Sequence, residues 1–320
     1  LVHSIAGSID GIVQGSLFGV AGSFPPVYMQ GYMTGIGFSG VAAAIARIGT
    51  KLYLPADPEG LRTSCIVFFL VSSAYSLLCA VLYYYVCRLP FYRFYMSRVL
   101  SFQPEDGDAD ANATKDAKGT TATASGDGEA PPSSRPAPAP QEVPYRLLFR
   151  QMRTVLPLPL LAWFVTLALF PGLTSEIVSS NGLGDWMPVL SATIFNVADF
   201  LGRWVTRWRW ANQMRFKLLW LLVLGRFVFF PLLMICVKPH VIQNDALSLS
   251  IVFLFAYSSG HLGNIAMMIG PQRVVEALRE QAGMLMGFSM IVGLTTGASV
   301  SFLLLLWLYR RCTVRQRVME

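Results

Sequence analysis

The sequence predicts an all-α polytopic membrane protein, and three observations carry that prediction. Hydrophobic residues make up 54% of the 320-residue chain against 13% charged, and the mean hydropathy is +0.50, too apolar for an ordinary soluble domain. About eight windows of roughly 20 apolar residues recur along it, the length needed to cross about 30 Å of hydrocarbon as a helix. These windows lack the alternation of barrel strands: "LLWLLVLGRFVFFPLLMICV" is apolar on every side. The bilayer is therefore the expected solvent.

In chain order the windows fall at about 8–28, 32–50, 63–87, 154–173, 186–205, 216–237, 246–269 and 283–309. The second is rich in glycine and also fits an irregular or re-entrant piece. Pro157, Pro159 and Pro171 bracket the fourth window and Pro231 interrupts the sixth, where a missing N–H frees a carbonyl and bends a helix. Between the third and fourth windows, "PEDGDADANATKDAKGTTATASGDGEAPPSSRPAPAPQE" has almost no large apolar side chain and cannot bury enough surface to offset the entropy of ordering. The chain thus divides into 1–100, the three-helix part of an N-terminal bundle; 101–143, a disordered linker; and 144–320, a five-helix C-terminal bundle.

Arginines near the window ends set the orientation. Arg88, Arg93 and Arg98 lead into the linker, and Arg146, Arg150 and Arg153 lead out of it, which makes it cytosolic. Arg207, Arg209, Arg215 and Lys217 lie two crossings later on the same side, followed by Arg273 and Arg279 two crossings after that. The C-terminal "YRRCTVRQR" falls on the opposite side and conflicts with these three loops. On this topology Asn112-Ala-Thr114 is a cytosolic sequon and stays unmodified. The net charge of +7 resides largely in these orienting arginines, which argues against nucleic acid as a partner. The cysteines at 65, 79, 87, 236 and 312 show no metal-ligand spacing and read as packing residues, and no metal or cofactor is expected. The chain has no HExxH, no paired intramembrane aspartates and no Ser-His arrangement at useful spacing, so an enzyme is disfavoured.

Two windows carry polar residues that hydrocarbon penalises. In "ATIFNVADFLGRW", Asn196, Asp199 and Arg203 sit at about 0°, 300° and 340° around a helix, one stripe within about 60°. A charge facing lipid costs several kcal/mol, so the stripe is expected to face the bundle interior or a water-filled cavity, with Asp199 and Arg203 paired. The pair either lines a site or only locks two helices together. In "GSIDGIVQGSLFGVAGSFPP", Asp10 and Gln14 again share a face, and Gly11, Gly15 and Gly19 form a ladder on which another helix can pack closely. Gln14 needs partners for both ends of its amide, and either a ligand edge or another helix supplies them. Gly283, Gly287, Gly293 and Gly297 predict tight packing of the last window; His261 reads as a packed, hydrogen-bonded histidine, and Glu280 as a cytosolic-side gate or surface residue.

"VQGSLFGVAG" and "FNVADFLGRW" resemble motifs of the equilibrative nucleoside transporter family, in the corresponding order, and "GHLGNIAMMIGPQRVVEALREQAGMLMGFSMIVGLTTGASVSF" is similar to its last two spans. The most specific element is Phe195, Asn196, Asp199, Gly202 and Arg203. The resemblance implies a major-facilitator-like helical bundle with a midplane site that opens alternately to each side. It implies spans four to eleven of eleven, with the first three missing, in keeping with a chain that begins without Met. It further implies nucleosides or nucleobases as substrate, Gln14 hydrogen-bonding the base, and Asp199 and Arg203 binding ribose hydroxyls with Asn196 orienting them. Asp10 departs from the family pattern, in which this position is small and uncharged; it is either a proton acceptor, making protons a partner, or an acid near the water interface. An integral membrane protein, most simply of the plasma membrane, follows. The competing readings are a carrier of another small polar solute and a truncated membrane protein that does not transport.

Overall fold

Prolines open many of the helices. Pro26, Pro58, Pro90 and Pro157 are each the first residue of one, a position where the missing N–H has no intrahelical partner to lose. The structure, a computed structural model, describes residues 2–53, 58–101, 145–180, 182–237 and 244–319, and among them every regular element is a helix. These are α1 (Val2–Ser23), α2 (Pro26–Tyr53), α3 (Pro58–Arg88), α4 (Pro90–Ser101), α5 (Tyr145–Met152), α6 (Pro157–Leu169), α7 (Gly172–Ser175), α8 (Met187–Val205), α9 (Arg209–Asn212), α10 (Phe216–Gly225), α11 (Phe229–Val237), α12 (Asp245–Ile269) and α13 (Arg279–Met319).

Helices occupy the predicted windows, and α2 is one continuous helix and not an irregular piece. Among the described residues, five helical segments are long and apolar enough to cross a membrane: Cys65–Arg88, Pro157–Ser175, Phe216–Val237, Asp245–Arg273 and Arg279–Tyr309. α1, α2 and α8 are not among them: Asp10 and Gln14 with several glycines dilute the first, glycines and scattered polar residues the second, and Asn196, Asp199 and Arg203 the third. Between α10 and α11 the chain tightens into a 3-10 turn, Arg226–Val228. Pro231 lies at the start of the next turn, where its ring would clash with the carbonyl four residues earlier. The linker predicted at 101–143 lies outside the described residues apart from Ser101, and the sequon at Asn112 lies outside them entirely.

Glycine sets the close helix pairs. A Cβ on Gly202 of α8 would fall on the Tyr257 carbonyl of α12, and one on Gly260 of α12 would fall on the Asp199 carbonyl of α8. Each helix thus gives the other a bare backbone at the same level. α13 makes two such crossings, Gly283 and Gly287 against Phe18 of α1, and Gly293 and Gly297 against Leu160 and Phe164 of α6. The ladder expected on α1 is shorter than predicted: Gly19 and Gly22 meet α13, but Gly11 and Gly15 have no outside atom within 4 Å of a would-be Cβ. The two helices touch at one end and diverge, so spacing alone overstated the contact.

Two further differences come from packing. α4 was not anticipated as a helix; its Phe91, Tyr92 and Tyr95 rings lie 5.5, 5.8 and 5.6 Å from Phe24 at the α1–α2 corner. The reading of the cysteines as packing residues holds for buried Cys236 but is corrected for Cys65 and Cys79, which are exposed on α3. α3 is apolar on all sides, yet none of its most apolar stretch is buried in the protein.

Candidate functional site

α8 delivers the polar stripe as its spacing requires. Asp199 and Arg203 keep only 8% and 6% of their surface exposed, while Asn196 is half-buried. Arg203 Nε donates to Asp199 Oδ2 at 2.7 Å, and its Nη1 donates to the Met33 carbonyl of α2 at 3.2 Å. The guanidinium carbon lies 5.7 Å from the Trp163 ring centroid on α6. A buried pair keeps its charges only when the remaining donors find partners, and α2 and α6 supply them.

Two glycines of α2 make room for the stripe. A Cβ at Gly37 would stand 2.9 Å from Arg203 Cδ, and one at Gly40 would stand 2.6 Å from Asn196 Oδ1. On the far side the Asp199 backbone is pressed on Gly260. The carboxylate is therefore held between a fixed helix crossing and a bare helix face.

The stripe opens on a cavity of about 240 Å³. Its polar wall is Asn196, Asp199, Arg203, Thr166 and Ser259, and its apolar wall includes Ile36, Trp163 and the rings of Phe170 and Phe195. Those two rings stack 3.6 Å apart at 3°. Drug-sized sites run to roughly 300–1,000 Å³, so the occupant this space fits is small, with one polar and one flat apolar side.

The other predicted site residues lie elsewhere. Gln14 is half-buried on α1, Asp10 is exposed on the same helix within electrostatic reach of Tyr32, and Glu280 is half-buried with its Cγ 3.4 Å from a would-be Cβ on Gly19. None of the three lines the cavity. His261 is the packed histidine expected: its Nδ1 stands 3.4 Å from the Gly202 carbonyl and its ring stacks on Tyr257.

The structure adds polar residues that the sequence reading passed over. Gln30 and Asn264 each donate to the Arg203 carbonyl, at 3.3 and 3.0 Å, and Thr206 donates to it at 2.6 Å. Arg226 is 2% exposed; it donates to the Ala162 carbonyl at 2.5 Å and to Thr166 Oγ1 at 3.0 Å, and its Nε has no hydrogen-bond partner. Its guanidinium carbon is 5.3 Å from the Phe255 ring centroid. One signal was available: an arginine in the middle of an otherwise apolar window is costly unless it faces inward. Thr166 and Ser259 left no such signal, since hydroxyls are common in membrane helices. Among the described residues no cluster of His, Cys, Asp and Glu suits a metal ion.

Comparison with known proteins agrees over nearly the whole chain. A family profile described as "Nucleoside transporter" matches residues 2–306. Equilibrative nucleoside transporter 2 of Mus musculus is 32% identical over 318 residues, covering 92% of this chain and 69% of that protein. Equilibrative nucleoside transporter 1 of Homo sapiens is 31% identical over 310 residues, covering 92% and 66%. Equilibrative nucleotide transporter 8 of Arabidopsis thaliana is 27% identical over 304 residues, covering 94% and 68%.

Proposed function

Because the chain belongs to the nucleoside transporter family, we propose that it carries nucleosides across a membrane by alternating access, with the α8 cavity as part of the substrate site. The family is one of integral membrane transporters and not of enzymes. The observation that carries the proposal is the cavity wall: a hydrogen-bonded Asp199–Arg203 pair lining a small space that Trp163, Phe170 and Phe195 also line. A nucleoside has the matching halves. Its ribose hydroxyls donate to a carboxylate and accept from a guanidinium, and its base presents a flat face to aromatic rings. Asn196, beside the pair, orients it or takes a further hydroxyl.

On this reading the eight helical segments are eight crossings, with the linker and the loops at Arg207–Lys217 and Arg273–Arg279 on the cytosolic side of a two-bundle, major-facilitator-like protein. The plasma membrane is the simplest location for uptake. Gln14 reaches the base only when α1 closes further, and the open Gly11 and Gly15 leave room for that movement. Transport is facilitated rather than proton-driven, since Asp10 is exposed and off the cavity wall. Nucleobases and nucleotides are competitors to be tested in the same assay.

The test is saturable uptake of radiolabelled adenosine, inosine and uridine at two external pH values, by cells lacking their own nucleoside carriers and expressing the full-length protein. Uptake that saturates and does not rise in acid is the expected result. Surface-expressed protein that takes up none of them would overturn the substrate class, and stimulation by acid would return Asp10 to the mechanism.

A further inference from the structure

Arg226 is charged, almost wholly buried and one hydroxyl away from the cavity. An arginine buried that deeply in a membrane helix is expensive, and its contacts lead toward the site. Its Nη2 donates to Thr166 Oγ1 at 3.0 Å, and Thr166 Oγ1 lies 2.8 Å from Ser259 Oγ. Both hydroxyls line the cavity, on α6 and α12.

Counting protons along this chain gives it a direction. A guanidinium only donates, and a hydroxyl has one proton and two lone pairs. Arg226 therefore takes one lone pair of Thr166. The Thr166 proton has the Ala162 carbonyl at 2.7 Å, the usual back-bond of a helical threonine. That carbonyl is shared, since it also accepts from Arg226 Nη1 and from the Thr166 N–H of the helix. The arrangement that fills every valence of Thr166 then has Ser259 donating to it. Ser259 is left with lone pairs for whatever occupies the cavity.

We propose that Arg226 is a positioning residue which, through Thr166, fixes Ser259 as a hydrogen-bond acceptor toward the cavity, so that the ligand group meeting it is a donor, a sugar hydroxyl. The inference rests on the nucleoside reading above and deepens it. Ser259 and Asp199 both line the cavity, and Gly260, next to Ser259, packs on the Asp199 backbone. Two acceptors in one cavity suit two adjacent hydroxyls, whereas a base edge alternates donors and acceptors. Arg226 also places a second buried cation behind a wall with one carboxylate, which favours electron-rich oxygen in the cavity.

The test compares KM for adenosine, 2′-deoxyadenosine and 3′-deoxyadenosine in proteoliposomes containing the full-length protein. Ser259→Ala is expected to raise KM for adenosine about tenfold and to leave unchanged that of the one deoxynucleoside lacking the partner hydroxyl. Arg226→Gln is expected to give the same hydroxyl-selective rise, and Arg226→Lys, which keeps a cation and donors, to restore selectivity in part. Should Arg226→Gln fail to reach the membrane, Thr166→Val cuts the same link and takes its place. A rise equal for all three substrates, or no rise, overturns the inference while leaving the nucleoside reading intact. Wild-type protein that transports none of the three overturns both.

Discussion

α3 and α8 reverse the rule that holds in water. α3 is among the most apolar helices and exposes Phe69, Leu70, Leu77 and Leu82 along its length, whereas α8 carries an acid and a base and buries both. In a bilayer, apolar surface needs no protein partner, while every charge needs one. Hydropathy therefore ranks high a helix that the described residues leave uncovered and ranks low the helix that carries the candidate site. The contrast extends to glycine: α8 meets α12 and α2 through Gly202, Gly260, Gly37 and Gly40, and α3 has only Gly60, at its first turn.

Substitutions can break or sharpen that contrast. The largest effect is expected at Gly260→Val, which drives a branched side chain onto the Asp199 backbone; overpacking costs about 1–3 kcal/mol even where side chains can shift, and here the neighbour is main chain. Detergent-resistant folded protein, read by size-exclusion of a fluorescent fusion, should be lost. Full recovery would show that the crossing is looser than described.

Next comes Asp199→Asn, which keeps shape and leaves Arg203 without its counter-charge. Removing one member of a buried pair costs about 3–5 kcal/mol, so uptake should fall at least about 100-fold with surface protein still detectable. Normal nucleoside binding by the purified variant would remove α8 from the site. Gly40→Ala is milder: the new methyl meets the tip of Asn196 and not backbone. Uptake should drop by roughly threefold, about the worth of one weakened hydrogen bond, with folding unchanged. A fold defect instead would mean that α2 and α8 cannot yield.

The smallest effect belongs to α3. Cys65→Ser and Cys79→Ser are exposed changes, the second keeping a hydroxyl beside Tyr75, and should alter stability by no more than about 0.5 kcal/mol. A lipid-soluble carbene probe should label 65–85 heavily and spare 195–203. Protection of α3 would show that another protein surface covers it.

The helices were legible because crossing length and apolarity are written residue by residue, and the Asp199–Arg203 stripe because the 3.6-residue period and the cost of charge in oil leave it one place to go. The ladder on α1 misled because spacing reports what a helix can pack against, not where its neighbour diverges. Thr166, Ser259 and Asn264 were illegible for another reason: each is ordinary in sequence and acquires meaning only from the helix opposite. Gln14 belongs to the same class. Its face was readable, its distance from the cavity was not.

The bare face of α2 at Gly37 and Gly40 has a mechanical consequence. Interdigitated side chains act as teeth, and a helix meshed that way moves only by unmeshing. Main chain at Gly37 and Gly40 instead lets the Arg203 and Asn196 side chains of α8 seat directly on α2, and the hydrogen bonds from Gln30 to the Arg203 carbonyl and from Arg203 to the Met33 carbonyl latch the two helices at that level. Parting α2 from α8 therefore means breaking both bonds, which makes the seam beside the charged pair a latch and not a free slide.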